Sequence, residues 1–218
     1  MVEAVKQSLR HSKAARWGAM ALVSFTMLTG YFVADVAAPL KPLIEQQLHW
    51  TSSQYGFFTS AYAWFNVFLA MLIIGGIILD RFGARFAGLL AASAMLIGAG
   101  LKWWAFNTSS LDGQMIFGIP AQVLVAAVGF AIFGMGIELA GITATKIIVV
   151  WFRGYELALA MGLQVAVARI GTGLALGISA PIAKASSVST AILVGVFALG
   201  LGLITFLIYC TMDRRLDA

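Results

Sequence analysis

The sequence predicts an all-α membrane protein of six transmembrane helices, and three observations carry that prediction. Hydrophobic residues make up 61% of the 218 and charged residues 11%, for a mean hydropathy of +0.94. A soluble domain of this length has too little interior to bury so much apolar surface. Six apolar stretches each reach the roughly 20 residues that cross a bilayer core of ~30 Å as a helix. The basic residues, finally, gather on alternate connections.

Lys6, Arg10, Lys13 and Arg16 precede the first stretch, Arg81 and Arg85 lie in the second connection, Arg153 in the fourth, and Arg214 and Arg215 at the end. The opposite connections hold only Lys41, Lys102 and Lys184. This positive-inside pattern places both termini in the cytoplasm, with an even number of spans. The net charge of +5 is therefore a topological signal and not a nucleic-acid footprint. The single Cys210, in an apolar run, excludes an intrachain disulfide and points away from a metal cluster. The first apolar run is long and followed by further spans, so it reads as a signal-anchor helix and not a cleaved leader.

Taken in order, residues 1–16 form a basic cytoplasmic tail, 17–211 the six-helix bundle and 212–218 a cytoplasmic end. The spans are placed at Trp17–Ala38, Gln54–Leu79, Ala84–Phe106, Ile119–Val149, Leu157–Ile182 and Thr190–Cys210. Asp35 near the end of the first span is costly against lipid and should face a cavity or a partner. The polar connection Lys41–Trp50 ends on Trp50 as an interfacial anchor, and Ser52 or Ser53 is the expected N-cap of the second span. Tyr62 and Asn66, four residues apart, share one face of that span, and a buried amide needs partners. Gly76 to Arg85 must be a tight polar hairpin: glycines Gly76 and Gly83 permit close approach and reversal, Asp80 can cap backbone donors, and Arg81 and Arg85 hold the charged side. The third span ends in an aromatic belt, Lys102-Trp103-Trp104. Lys146, near the end of the fourth, is expected to snorkel. Gly173 and Gly177 form a packing motif in the fifth.

The most informative chemistry is one acid and one base in the fourth and fifth spans. Glu138 lies thirteen residues before Trp151, and Arg169 thirteen after Glu156, on either side of a short turn. At ~1.5 Å per residue both sit about 20 Å from that surface, near the middle of the bilayer. Each charge there costs roughly 2.5–3.5 kcal/mol on an insertion scale, so it needs compensation. One reading is a Glu–Arg bridge that locks the two helices. The other is a site for a zwitterion, with Arg169 on a carboxylate, for which its forked guanidinium is suited, and Glu138 on an ammonium group.

Several motifs carry a resemblance. Gly76-x-x-x-Asp80-Arg81-x-Gly83-x-Arg85, between the second and third spans, resembles the loop signature of the major facilitator superfamily, with Ala84 and Phe86 where many members carry further basic residues. Tyr31-Phe32-x-x-Asp35, Tyr62-Ala63-Trp64-x-Asn66 and Trp151-Phe152-x-Gly154-x-Glu156-Leu157, continuing to Gly162-Leu163-Gln164 and Ala168-Arg169-Ile170-Gly171, are similar to the lysosomal dipeptide transporters and their prokaryotic relatives. The resemblance covers about residues 30 to 180. It implies one six-helix half of that fold, an inverted three-plus-three repeat, and alternating access of two halves around a central site. It also implies that Glu138 and Arg169 contact peptide termini, and that the segment around Asp80 latches one state.

The sequence therefore predicts the N-terminal half of a transporter for small zwitterions, dipeptides foremost. Its substrate-binding candidates are Glu138, Arg169, Asp35, Tyr62 and Asn66, and its latch is Gly76, Asp80, Arg81, Gly83 and Arg85. Its partners are the lipid bilayer, the solute and a second six-helix half, whether in the same polypeptide, a separate chain or a second copy. A bacterial inner membrane fits the short connections, and a lysosomal membrane fits the resemblance. Within the superfamily, an organic-anion carrier would need Arg169 without Glu138, and a proton-coupled carrier would titrate Glu138 or Asp35. A non-transporting scaffold would use the pair as a lock. No enzyme, cofactor or metal is expected: His11 and His49 lie outside the spans, and no nucleophile–base constellation or ligand cluster appears.

Overall fold

Backbone groups facing lipid must be satisfied within their own segment, which leaves helices as the elements available to an apolar chain of this kind. The computed structural model describes residues 12–217, so most of the basic tail, including Lys6 and Arg10, lies outside the described residues. Helix α1, Lys13–Asp35, starts where the Ser12 side chain accepts from the Ala15 amide at 3.4 Å. Pro39 follows in a tight turn, Ala38–Leu40, which leads into the short α2, Lys41–Gln47. Glu45 of α2 accepts from Ser52, beyond the helix, at 2.6 Å, and Lys41 lies 3.0 Å from the same carboxylate.

Helix α3, Ser52–Ser60, is capped by Thr51 and not by Ser52 or Ser53. Thr51 is extended, its hydroxyl meets the Gln54 amide, and the Gln54 side chain returns to the Thr51 amide at 2.9 Å, a complete capping box. Trp50 is not an exposed anchor either. It is 5% exposed, bonds Gln122 through its indole N–H at 2.8 Å and packs against Phe58 and Phe106.

The expected continuous helix Gln54–Leu79 is broken twice. A 3-10 turn, Ala61–Ala63, separates α3 from the five-residue α4, Trp64–Phe68, and Ala70 then takes a left-handed conformation at φ 47°. The chain resumes as α5, Met71–Asn107, which reverses at Gly83 with φ 81° and ψ 168°, a conformation that glycine alone adopts freely. The reversal is visible in the partners of α6, Ala121–Phe152. Gly75 faces Leu139 and Ile142, and Asp80 meets Lys146, so the first limb runs parallel to α6. Gly136 lies against Ala91 and Met95, and Gly129 against Lys102, so the second limb runs antiparallel. Between α5 and α6, β1 (Met115–Ile116) pairs with β2 (Ile119–Pro120) in a small hairpin. Its turn residues Phe117 and Gly118 both have positive φ. Helices α7, Leu157–Ala185, and α8, Val188–Asp217, complete the bundle, and residues 212–217 continue α8 instead of forming a separate end.

By length and composition five runs can each cross a membrane: Lys13–Gln47, Met71–Asn107, Ala121–Phe152, Leu157–Ala185 and Val188–Arg214. The second predicted span is missing from that set as one helix because its breaks divide it, and its lower part is the first limb of α5. That limb alone is too short to cross; only together with α3 and α4 does the broken segment 52–82 have the length of a sixth crossing. At one end Arg16 lies 3.8 Å from Glu156, Arg85 lies 3.7 Å from Asp213, and Trp17 packs edge-on against Phe152. The start of α1, the Gly83 reversal, the α6–α7 turn and the end of α8 therefore share this terminal end. Helix α1 packs mainly on α7 and α8, while α6 packs on the second limb of α5 and on the broken second span. That exchange of partners is what two interlocked three-helix repeats of opposite orientation produce.

Glycine sets the closest approaches. A side chain at Gly98 would meet the Phe133 and Gly129 backbones on α6, and one at Gly171 would meet the Leu28 carbonyl on α1. Gly173 and Gly177, the motif singled out in the sequence, have open space around them, so Gly171 is the packing glycine of α7. We expect Gly98→Leu to lower the stability of the chain in detergent by about 1–3 kcal/mol or more through overpacking. Gly173→Leu should stay within about 0.5 kcal/mol. Thermal unfolding followed by circular dichroism checks both.

Candidate substrate site between the helix pairs

Helix α7 lies along α1 and leaves α6 for most of its length. The acid and base that the sequence places at one depth therefore sit on opposite sides of a seam. Among the described residues no ion pair within 4.0 Å joins Glu138 to Arg169, so the bridging lock is not formed here. Each charge instead has an uncharged neighbour. The Tyr62 hydroxyl, on the turn that breaks the second span, donates to Glu138 Oε1 at 3.3 Å. The Arg169 guanidinium lies over the Tyr31 ring at 5.1 Å, a cation–π contact from α1. Gly171 lets α7 approach α1 closely enough for that contact.

A cleft of about 350 Å³ opens between these groups toward the end away from the termini, with Tyr31, Asp35, Tyr55, Tyr62 and Arg169 among its walls. Asp35 closes α1 and accepts from Thr172 of α7 at 2.6 Å. The cleft thus brings together Asp35, Tyr62 and Arg169, with Glu138 one hydrogen bond behind Tyr62. Asn66 works differently. Its amide donates to the Tyr62 carbonyl at 3.1 Å and to the Gly134 carbonyl at 3.3 Å, tying the broken span to α6. Its Oδ1 is buried with no hydrogen-bond partner among the described residues. Tyr31 and Thr172 were not singled out as site residues in the sequence. The signal was present, since Tyr31 is four residues before Asp35 and Thr172 three after Arg169, each on the same helix face.

Two lysines depart from expectation. Lys102 is not part of an interfacial belt: it is 0% exposed, donates to the Val33 carbonyl at 3.1 Å, and lies 4.6 Å from the Phe130 ring centre. The physical reason is the Gly98–Gly129 contact, which draws this turn of α5 into the junction with α1 and α6. Lys146 does not snorkel freely. It reaches Asp80 at 2.7 Å and the Leu79 carbonyl at 3.3 Å, joining α6 to the hairpin segment. Asp80 thereby serves a side-chain cation in place of backbone donors. The other hairpin members are dispersed: Gly83 makes the turn, Gly76 has open space, Arg85 reaches Asp213, and Arg81 lies 5.6 Å from the Phe82 ring centre.

A helical bundle with this partner exchange, and with a charged cleft at its middle, defines a class of multi-pass membrane proteins built from three-helix repeats. The model of the Major Facilitator Superfamily matches residues 20–216, and the chain belongs to that superfamily. The lysosomal dipeptide transporter MFSD1 of Mus musculus is 29% identical over 157 residues, which are 70% of this chain and 30% of that protein. The Danio rerio protein of the same name is 32% identical over 146 residues, 65% of this chain and 28% of that protein. The probable sulfoacetate transporter SauU of Cupriavidus necator is 30% identical over 154 residues, 71% and 31% of the two chains. The chain spans less than a third of the length of the curated relatives it matches.

The Asp35–Thr172 bond is one polar tie between α1 and α7 at the cleft. Thr172→Val keeps the shape and removes the donor, so stability should fall by about 1–3 kcal/mol as Asp35 loses its partner. Thermal unfolding of the variant beside Thr172→Ser, which should behave as the parent, measures it.

Proposed function

We propose that this chain is a six-helix half of a membrane transporter for small zwitterionic solutes, dipeptides foremost, acting by alternating access with a second half. One observation carries the reading. Arg169 lines the cleft and Glu138 stands one hydrogen bond behind it through Tyr62, with no ion pair between the two among the described residues and a tyrosine beside each. A solute with an ammonium at one end and a carboxylate at the other satisfies both. Arg169 offers a forked pair of donors to the carboxylate, and Glu138, oriented by Tyr62, accepts from the ammonium. Asp35 adds an acceptor on the wall of the same cleft. The names of the dipeptide-transporting relatives support the choice of solute. The basic residues at the terminal end support cytoplasmic termini, in a bacterial inner membrane or, by likeness, a lysosomal one.

An organic-anion carrier is the second reading, favoured by the relative named for sulfoacetate, and it would use Arg169 alone. Uptake of a labelled dipeptide into proteoliposomes, by this chain with a matching second half, separates them. Arg169→Ala and Glu138→Gln should each lower dipeptide uptake at least tenfold if the zwitterion reading holds. A loss with Arg169→Ala alone points to the anion carrier. Undiminished transport in both well-folded variants would remove the site altogether.

The hairpin around Asp80, with Gly76, Arg81, Gly83 and Arg85, is proposed as a conformational latch whose tie within this chain is Lys146. Because the Asp80 side chain is 82% exposed, the pair contributes little to stability, about 0–1 kcal/mol. Asp80→Asn should therefore leave the melting temperature nearly unchanged while slowing uptake. An equal loss of both would make the pair a structural brace instead.

A further inference from the structure

Arg169 and Tyr31 line two clefts. Besides the one described above, a second of about 230 Å³ lies on the terminal side of Arg169, with Met27, Tyr31, Gly141, Thr145 and Gln164 among its walls. That volume exceeds the ~150 Å³ that holds a benzene ring in an engineered protein cavity. Its walls are fixed: Met27 and Ala168 are 4% and 3% exposed and belong to the packed α1–α7 contact. Its polar side is Gln164. This residue is 8% exposed, and among the described residues its side-chain amide has no hydrogen-bond partner in the protein. Its amide atoms are not among those sealed from solvent, so they open to the cleft they line. A primary amide carries two donor hydrogens and an acceptor oxygen, and such groups are rarely left unsatisfied when buried. Thr145 does not complete it, because its hydroxyl is turned back onto the Gly141 carbonyl at 3.0 Å.

The geometry points to a side-chain subsite: the second cleft receives the C-terminal side chain of a bound dipeptide, and Gln164 reads its hydrogen-bonding groups. This rests on the zwitterion reading of Glu138 and Arg169. The cleft touches Arg169 but neither Glu138 nor Tyr62, so the residue that enters it is the one whose carboxylate Arg169 holds. Gln164 is five residues before Arg169 on α7, about 7.5 Å nearer the terminal end. That offset lets one residue reach both groups, its carboxylate on the guanidinium and its side chain on the amide. Met27 and Val165 supply apolar wall for the side-chain stem. The site accordingly favours a C-terminal residue with a polar, uncharged end over an apolar one of equal size.

Two variants of the chain, assembled with a matching second half in nanodiscs, test it, with Ala-Gln, Ala-Leu and Ala-Gly as probes and dissociation constants read from ligand-dependent thermal shifts. Gln164→Leu should weaken Ala-Gln about three- to tenfold, the range of one or two neutral hydrogen bonds, and leave Ala-Leu as tight or tighter. Gly141→Leu fills the cleft from a position where an added Cβ meets nothing within 4 Å. It should weaken Ala-Gln and Ala-Leu at least tenfold and spare Ala-Gly, whose unchanged binding also shows the variant to be folded. Equal effects of Gln164→Leu on all three probes, or none, overturn the subsite while leaving the zwitterion site standing. Binding of all three probes that survives Arg169→Ala overturns the zwitterion site itself, and so does failure of the unaltered chain with its second half to bind any of them.

Discussion

Close backbone contact at a few glycines fixes where this bundle is dense and where it is open. Gly171 brings α7 against Leu28 of α1, and Gly98 and Gly129 bring the second limb of α5 against α6. Helices in lipid gain little from apolar burial against one another, because hydrocarbon is already an apolar solvent, so such packing contacts carry much of the association. Once α7 is committed to α1, and α5 to α6, the line between the two groups cannot be equally tight. The seam is what remains, and the charged groups of the middle of the bundle open onto it.

The break in the second span belongs to the same arrangement. A left-handed alanine inside an apolar run costs of order 1–2 kcal/mol and leaves backbone groups in need of partners. Around it, Asn66 bonds the Tyr62 and Gly134 carbonyls, and Gly134 lies so close to Tyr62 that a side chain there would strike its carbonyl. The turn at Ala61–Ala63 is thus clamped onto α6, and this clamp aims the Tyr62 hydroxyl at Glu138. A straight helix over Gln54–Leu79 would present these residues in a different register.

What was legible in the sequence was whatever depends on length, hydropathy and charge position: the long apolar helices and the reversal at Gly83. What was not legible depends on which helix lies beside which. Equal depth suggested contact across the α6–α7 turn, but α7 follows α1, so Arg169 meets Tyr31 and not Glu138. Lys102 looked interfacial beside Trp103 and Trp104, yet its neighbour Gly98 buries that turn. Trp50 looked like a surface anchor for the same reason, and Gln122, seventy-two residues away, is what holds it inside. Local pattern also favoured Ser52 or Ser53 as a cap where Thr51 pairs with Gln54, a register difference of one or two residues that the three-residue spacing to Gln54 could have decided.

The separation of Glu138 from Arg169 is the less obvious choice energetically, and it argues for use. Two opposite charges at membrane depth compensate one another most directly in a close, hydrogen-bonded pair, and even that pair recovers little beyond its desolvation. A fold selected only for stability would have bridged them or replaced both with apolar residues of similar volume. Here the pair is held apart, each charge steadied by a tyrosine that neither neutralises it nor covers it, and a cleft reaches one member from either side. Tyr31 and Tyr62 are large enough to exclude lipid and polar enough to orient a charge. An arrangement of that kind lowers the cost of waiting without removing the attraction for a ligand of complementary charge. Asp35, on the same cleft wall, is likewise bound to a hydroxyl, Thr172, and not to a cation within 4.0 Å among the described residues.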